Sequence, residues 1–223
     1  NFSIWFGLII NIALFVICNL FVYLIGVKLF NNFSLALIPV IVWGFSAGAL
    51  STVIFIRMYM LLTSLVVITF YLHILLFTND TSKAFPIPIF LFTFMGIMTH
   101  YYFIVYIFYL AVTYCVYLII QENWHQLVKY VSALSLAIIA GILFYPSMLE
   151  HIFMSYRGQE AFNAISIFSN YSQAIHSFYG LISAQQFSGV LSLIILVLLM
   201  LYFLKVVRRL IMTKNNELTL HEA

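Results

Sequence analysis

The sequence predicts an all-α fold, a polytopic transmembrane helix bundle of about seven spans. Three observations carry this expectation. Hydrophobic residues make up 65% of the chain and charged residues 7%, with a mean hydropathy of +1.13; a soluble domain carries about 25% charged residues. Residues 29–56 and 58–79 contain no Lys, Arg, Asp or Glu, and uncharged stretches of that length match the ~20 residues that cross a bilayer as a helix. The apolar residues run on without the alternation that marks a membrane β-barrel. The net charge of +3 gives no indication of a nucleic-acid partner. No metal-ligand spacing, P-loop or nucleophile triad is present, and Cys18 and Cys115 read as small packing residues.

The elements follow in order. The first span, 4–27, holds Asn11 and Asn19, whose amides need partners inside a bundle, and it ends at Lys28 and Asn31-Asn32. The second, 35–55, contains Gly44-x-x-x-Gly48, a spacing that lets two helix backbones approach. The third, 57–78, opens at Arg57, encloses His73 and ends in the polar turn from Asn79 to Lys83. His73 reads as a neutral ring, either hydrogen-bonded to a neighbour or placed near the interface. Residues 84–121 lack formal charge, and the polar break at Thr99-His100 divides them into helices over 86–99 and 101–121, with Pro86 and Pro88 at the first helix's start. Glu122 to Gln126 reads as a loop with an interfacial tryptophan. A further span, 127–145, is terminated by Pro146. The segment 146–186 is polar enough to lie outside the hydrocarbon, and 187–206 is the last span, before a basic tail. The domain boundaries are therefore 1–145 for the helices of the bundle, 146–186 for an external amphipathic segment, 187–210 for the last helix and 211–223 for a cytoplasmic tail. The chain begins at Asn1 without a signal-like segment and reads as part of a longer protein.

Charge sets the orientation. Placing the basic C-terminal end inside puts Lys28, Lys83, Lys129, Lys205, Arg208, Arg209 and Lys214 on the cytoplasmic side, and only Arg57 and Arg157 outside. Asn1 is then external and Ala223 cytoplasmic. Arg57, the island Thr99-His100-Tyr101-Tyr102 and the 146–186 segment share the external face.

That shared face holds the residues suited to chemistry. The Arg57 guanidinium is a permanent cation with planar, multiple donors, fit for a phosphate; the alternative is an anchor among lipid head groups. His100 can bind a phosphate or move a proton. Arg157, between Glu150 and Glu160, is either a second phosphate ligand or a salt-bridged loop residue. Tyr102, Tyr106, Tyr109, Thr113 and Tyr117 fall on one helix stripe, which lines a cavity or packs with its hydroxyls satisfied by neighbouring helices.

Arg57-Met58-Tyr59-x-Leu61-Leu62, followed one hairpin later by Thr99-His100-Tyr101-Tyr102, resembles integral-membrane glycosyltransferases of the GT-C class. The likeness is nearest to bacterial relatives of the protein O-mannosyltransferases, the family 39 type, and extends over roughly residues 4–160. Phe55-Ile56 stands where that family commonly reads Glu-Ala. The resemblance implies transfer of a sugar from a polyprenyl-phosphate carrier to a glycan, lipid or protein acceptor on the external face of a bacterial cytoplasmic membrane. It implies Arg57, Tyr59, His100, Tyr101, Tyr102 and Arg157 as residues around the lipid phosphate, with no metal site, and names no cofactor besides the polyprenyl-phosphate-linked sugar that is the donor substrate. The family's catalytic aspartate lies in a loop that would precede Asn1, so the chain is either cut short of it or an inactive relative, and on its own is expected to lack activity. The alternative function is a non-catalytic transporter or lipid-handling protein that binds a phosphorylated lipid.

Overall fold

A computed structural model describes residues 4–78, 86–100 and 102–154 of the protein, with Ile194 and Val197 as isolated helical positions. The side chains of Tyr102 and of residues 151–153 are outside this description. So are Tyr101, Lys83, Arg157, most of the 146–186 segment, the tail 211–223, and the predicted last span apart from those two positions. The chain divides into two compact units, Asn1–Ile167 and Phe168–Ala223.

The described residues are helical throughout, without strands: α1 (Ile4–Phe30), α2 (Leu37–Gly44), α3 (Ala47–Ile54), α4 (Tyr59–Phe77), α5 (Pro86–Thr99), α6 (Tyr102–Ile120), α7 (Trp124–Phe144) and α8 (Ser147–Phe153). Four helices, α1, α4, α6 and α7, are long and apolar enough to cross a membrane, and a fifth span forms if α2 and α3 are one broken helix. The protein is a helical membrane protein. Its burial agrees: many large apolar side chains are exposed, whereas Asn11, Ser46, Ser64, Thr69, His73 and Thr93 are buried. Where the surroundings are hydrocarbon, apolar residues gain nothing by hiding, and small or hydrogen-bonding ones favour helix contacts.

Pairs of side chains give the direction of each helix. Ser64 shares its hydroxyl proton between Met60 O at 2.9 Å and Leu14 O at 3.1 Å, and Phe21 packs edge-on to Tyr71, so α1 and α4 run parallel. Tyr106 donates to Val66 O and Phe77 meets Tyr114 and Tyr117, so α4 and α6 are parallel too. The chain between α1 and α4 must therefore cross from one end of the bundle to the other, and so must α5 between α4 and α6. This makes the α2–α3 pair a broken crossing instead of a loop that turns back.

The continuous second span predicted over 35–55 is bent by 60° between Gly44 and Ala47. Ser46 accounts for the break. It leaves the helical conformation, accepts from Ala49 N at 3.2 Å and donates to Trp43 O at 2.7 Å, so it caps both half-helices at once. The break also separates Gly44 on α2 from Gly48 on α3, so the Gly-x-x-x-Gly pair does not form one helix face; Gly44 alone packs closely, where a β-carbon would lie 2.9 Å from the Asn19 side-chain oxygen on α1.

The other ends follow local rules. Asn31 adopts φ 51° and ends α1, and Asn32 then accepts from Ser34 N and Leu35 N to turn the chain. Glu122, at φ 55°, ends α6. Asn123 accepts from Gln126 N, so α7 begins at Trp124 inside the stretch expected to be loop. Tyr130, Ala133, Ala137 and Gly141 form the buried stripe of α7, mostly small residues. From α8, Met148 joins a cluster with Leu65, Ile97, Phe103 and Ile107.

Candidate functional site

One end of the bundle carries the start of α4, the end of α5 and the start of α6, so Arg57, Tyr59 and His100 lie at the same end. Arg57 lies in the connection between α3 and α4 and is exposed. Its backbone N–H donates to Phe55 O at 2.8 Å, and its guanidinium carbon sits 5.3 Å from the centre of the Phe55 ring. The adjoining surface is apolar, with Ile54, Phe55, Ile56 and Met58 all exposed. Tyr59 is the first residue of α4 and is partly exposed. His100, half-buried, closes α5 by donating its backbone N–H to Gly96 O, and its carbonyl accepts from Phe103 N.

Asn11 of α1 holds this end in place. Its amide, 5% exposed, donates to Val53 O at 3.0 Å and to Phe55 O at 3.2 Å. These carbonyls are among those left without intrahelical donors where α3 stops. The sequence flagged Asn11 as a polar group in search of a partner; the partner is the backbone beside Arg57.

Further into the bundle lies an apolar cavity of about 300 Å³ between α1, α2, α4 and α6. Val22 to Phe30 line one side, Val66, Val67 and Phe70 the other, and Pro39 and Tyr106 complete it. Tyr59, Thr63, Val66, Val67 and Phe70 share one face of α4, at helical steps of four, three, one and three. The cavity begins about 10 Å along the helix from Tyr59.

The tyrosine stripe of α6 is not a single environment. Tyr106 lines the cavity, but its hydroxyl is given to Val66 O at 2.9 Å. Tyr109 is 61% exposed, Thr113 returns its proton to Tyr109 O, and Tyr117 packs on Phe77. The stripe lies at the edge of the contact face, which Phe103, Ile107, Tyr114 and Leu118 occupy. Neither expected reading fits the whole stripe: Tyr106 and Tyr117 pack on α4, whereas Tyr109 and Thr113 are exposed.

The buried polar centre is elsewhere. His73 Nδ1 is 2.7 Å from Thr69 O and Nε2 is 2.8 Å from the Tyr130 hydroxyl. A carbonyl only accepts, so Nδ1 carries the hydrogen, and Nε2 of the neutral ring accepts from Tyr130. The Tyr114 ring stacks edge-on to Tyr130, with centroids 4.8 Å apart, and its hydroxyl accepts from Gln126. Tyr114, Gln126 and Tyr130 were not singled out from the sequence, because nothing in the pattern distinguishes them from other interfacial or packing residues. Among the described residues no group of His, Cys, Asp and Glu could hold a metal ion. No protein-family profile, curated protein or solved structure matches the chain.

Proposed function

We propose that the protein is part of a GT-C-like membrane glycosyltransferase with about seven spans, in which Arg57 and His100 face the phosphate of a polyprenyl-linked sugar and the apolar cavity takes the polyprenyl chain. The observation that carries this reading is the continuity of one α4 face, from Tyr59 beside Arg57 down to the cavity-lining Val66, Val67 and Phe70. An exposed cation at the start of α4 and an apolar cleft further along the same helix suit a ligand with a charged head and a hydrocarbon tail. The lysine distribution supports an external position for Arg57, where the sugar would pass to a glycan, lipid or protein acceptor. Tyr101, Tyr102 and Arg157 remain candidates for the same phosphate.

Arg57 would act by charge. Negative charge grows on the lipid phosphate as the glycosidic bond breaks, so a fixed guanidinium stabilises the transition state more than the ground state. In the complete protein Arg57→Lys should lower turnover by roughly 10–100-fold, equal to about 1.4–2.7 kcal/mol. Arg57→Ala should lose more, with insertion unchanged. Wild-type turnover in Arg57→Lys would reject the role. The broken α2–α3 crossing favours a second reading, a carrier of phosphorylated lipids, since discontinuous helices often form transport sites. Lipid binding without any sugar transfer by the complete protein would select it.

A further inference from the structure

We infer that Asn11 is a positioning residue for Arg57. This rests on the reading of Arg57 as the phosphate ligand. The Asn11 amide has two N–H groups, and both are committed, one to Val53 O at 3.0 Å and one to Phe55 O at 3.2 Å. Phe55 O also accepts from Arg57 N at 2.8 Å. Asn11 and the Arg57 backbone thus converge on one carbonyl oxygen. The ring of the same residue lies 5.3 Å beneath the guanidinium. Orienting the Phe55 peptide therefore orients Arg57 twice, through its backbone and through its side chain.

One turn before Asn11, Gly7 supports the same segment. A β-carbon at Gly7 would come within 2.6 Å of the Ile56 side chain, so this stretch of α1 is shaped to receive 53–56. The connection itself belongs to no helix and has few other means of holding its shape. The buried Asn11 amide gives Val53 O a donor and adds a second one to Phe55 O, which offsets the cost of burying these carbonyls and ties the connection to α1.

The test measures binding by the 223-residue chain in phosphatidylcholine nanodiscs. The probes are a long-chain polyprenyl monophosphate and the corresponding uncharged polyprenol. Asn11→Leu keeps much of the volume and removes both donors; Asn11→Asp turns a carboxylate toward two carbonyls. Each should weaken monophosphate binding by roughly tenfold or more and leave polyprenol binding unchanged. Arg57→Ala should weaken the monophosphate at least as much, and adding Asn11→Leu to it should cost nothing further. Normal monophosphate binding in Asn11→Leu, beside weakened binding in Arg57→Ala, overturns the assignment of Asn11. An equal loss of polyprenol, or an additive loss in the double variant, also overturns it, because Asn11 would then act on the bundle and not through Arg57. Unchanged binding in Arg57→Ala instead rejects the reading of Arg57 itself.

Discussion

Tyr130→Phe removes one oxygen from the centre of the bundle, and its consequence can be worked out from the contacts there. Tyr130 is 4% and His73 1% exposed, and their 2.8 Å hydrogen bond joins α7 to α4. Without the hydroxyl, the buried Nε2 loses the donor that its lone pair faces. Hydrogen bonds between membrane helices are worth about 0.6 kcal/mol on average and about 1.7 at most; an orphaned buried acceptor costs ~1–3 kcal/mol. The site is fully enclosed, so Tyr130→Phe should cost about 1–2 kcal/mol. His73→Phe should cost a similar amount by stranding the Tyr130 hydroxyl, while Thr69 O retains its helical donor. The double variant places two rings against each other with no polar atom left over, and should recover about 1 kcal/mol relative to the sum of the singles. Reversible unfolding in mixed detergent micelles, read by single-molecule force or steric trapping, gives all four stabilities. Single-variant effects that add to within ~0.3 kcal/mol would refute the argument, since the 2.8 Å contact would then carry no coupling.

Two further outcomes follow from local geometry. Asn123→Ala removes the acceptor of Gln126 N and should destabilise by about 1 kcal/mol, read in the same unfolding assay; a neutral result would mean that tertiary contacts, not the cap, start α7 at Trp124. Single cysteines at Ser34 and Ile56, in a chain cleared of Cys18 and Cys115, should be labelled from opposite sides of the membrane; labelling from one side would show that α2 and α3 turn back instead of crossing.

Much of the bundle was legible because hydrocarbon imposes its terms on sequence. Uncharged runs have to be helices, and polar residues have to collect at their ends. The expected 86–99 coincides with Pro86–Thr99, and 57–78 and 101–121 lie within two residues of α4 and α6 at each end. Prolines and polar turns mark those boundaries, and both act locally. The start of α7 was placed three residues late because Trp124 and His125 look like interface residues, whereas the Asn123 cap had already begun the helix. Arg57 and His100 stood out for the same reason as the boundaries: each interrupts a long apolar stretch.

The inward face of each helix could not be read in the same way. A helix that is apolar on every side has no stripe to mark its contact surface, so α6 offered a conspicuous tyrosine row and buried Tyr114 beside it. His73 and Asn11 were visible as polar groups requiring partners, but Tyr130 and the Val53 and Phe55 carbonyls are 57, 42 and 44 residues away. The bend at Ser46 was equally hidden, because serine within an apolar run is compatible with a straight helix until the adjoining helices approach. A helical membrane bundle and the ends of most of its helices were therefore readable in the residues alone, through the cost of placing charge and unpaired backbone in hydrocarbon. Which sides of the helices meet, where the second crossing breaks, and which carbonyls the buried amide of Asn11 holds beside Arg57 depend on close packing and hydrogen bonds between residues far apart in the chain, and so emerge only in the folded bundle.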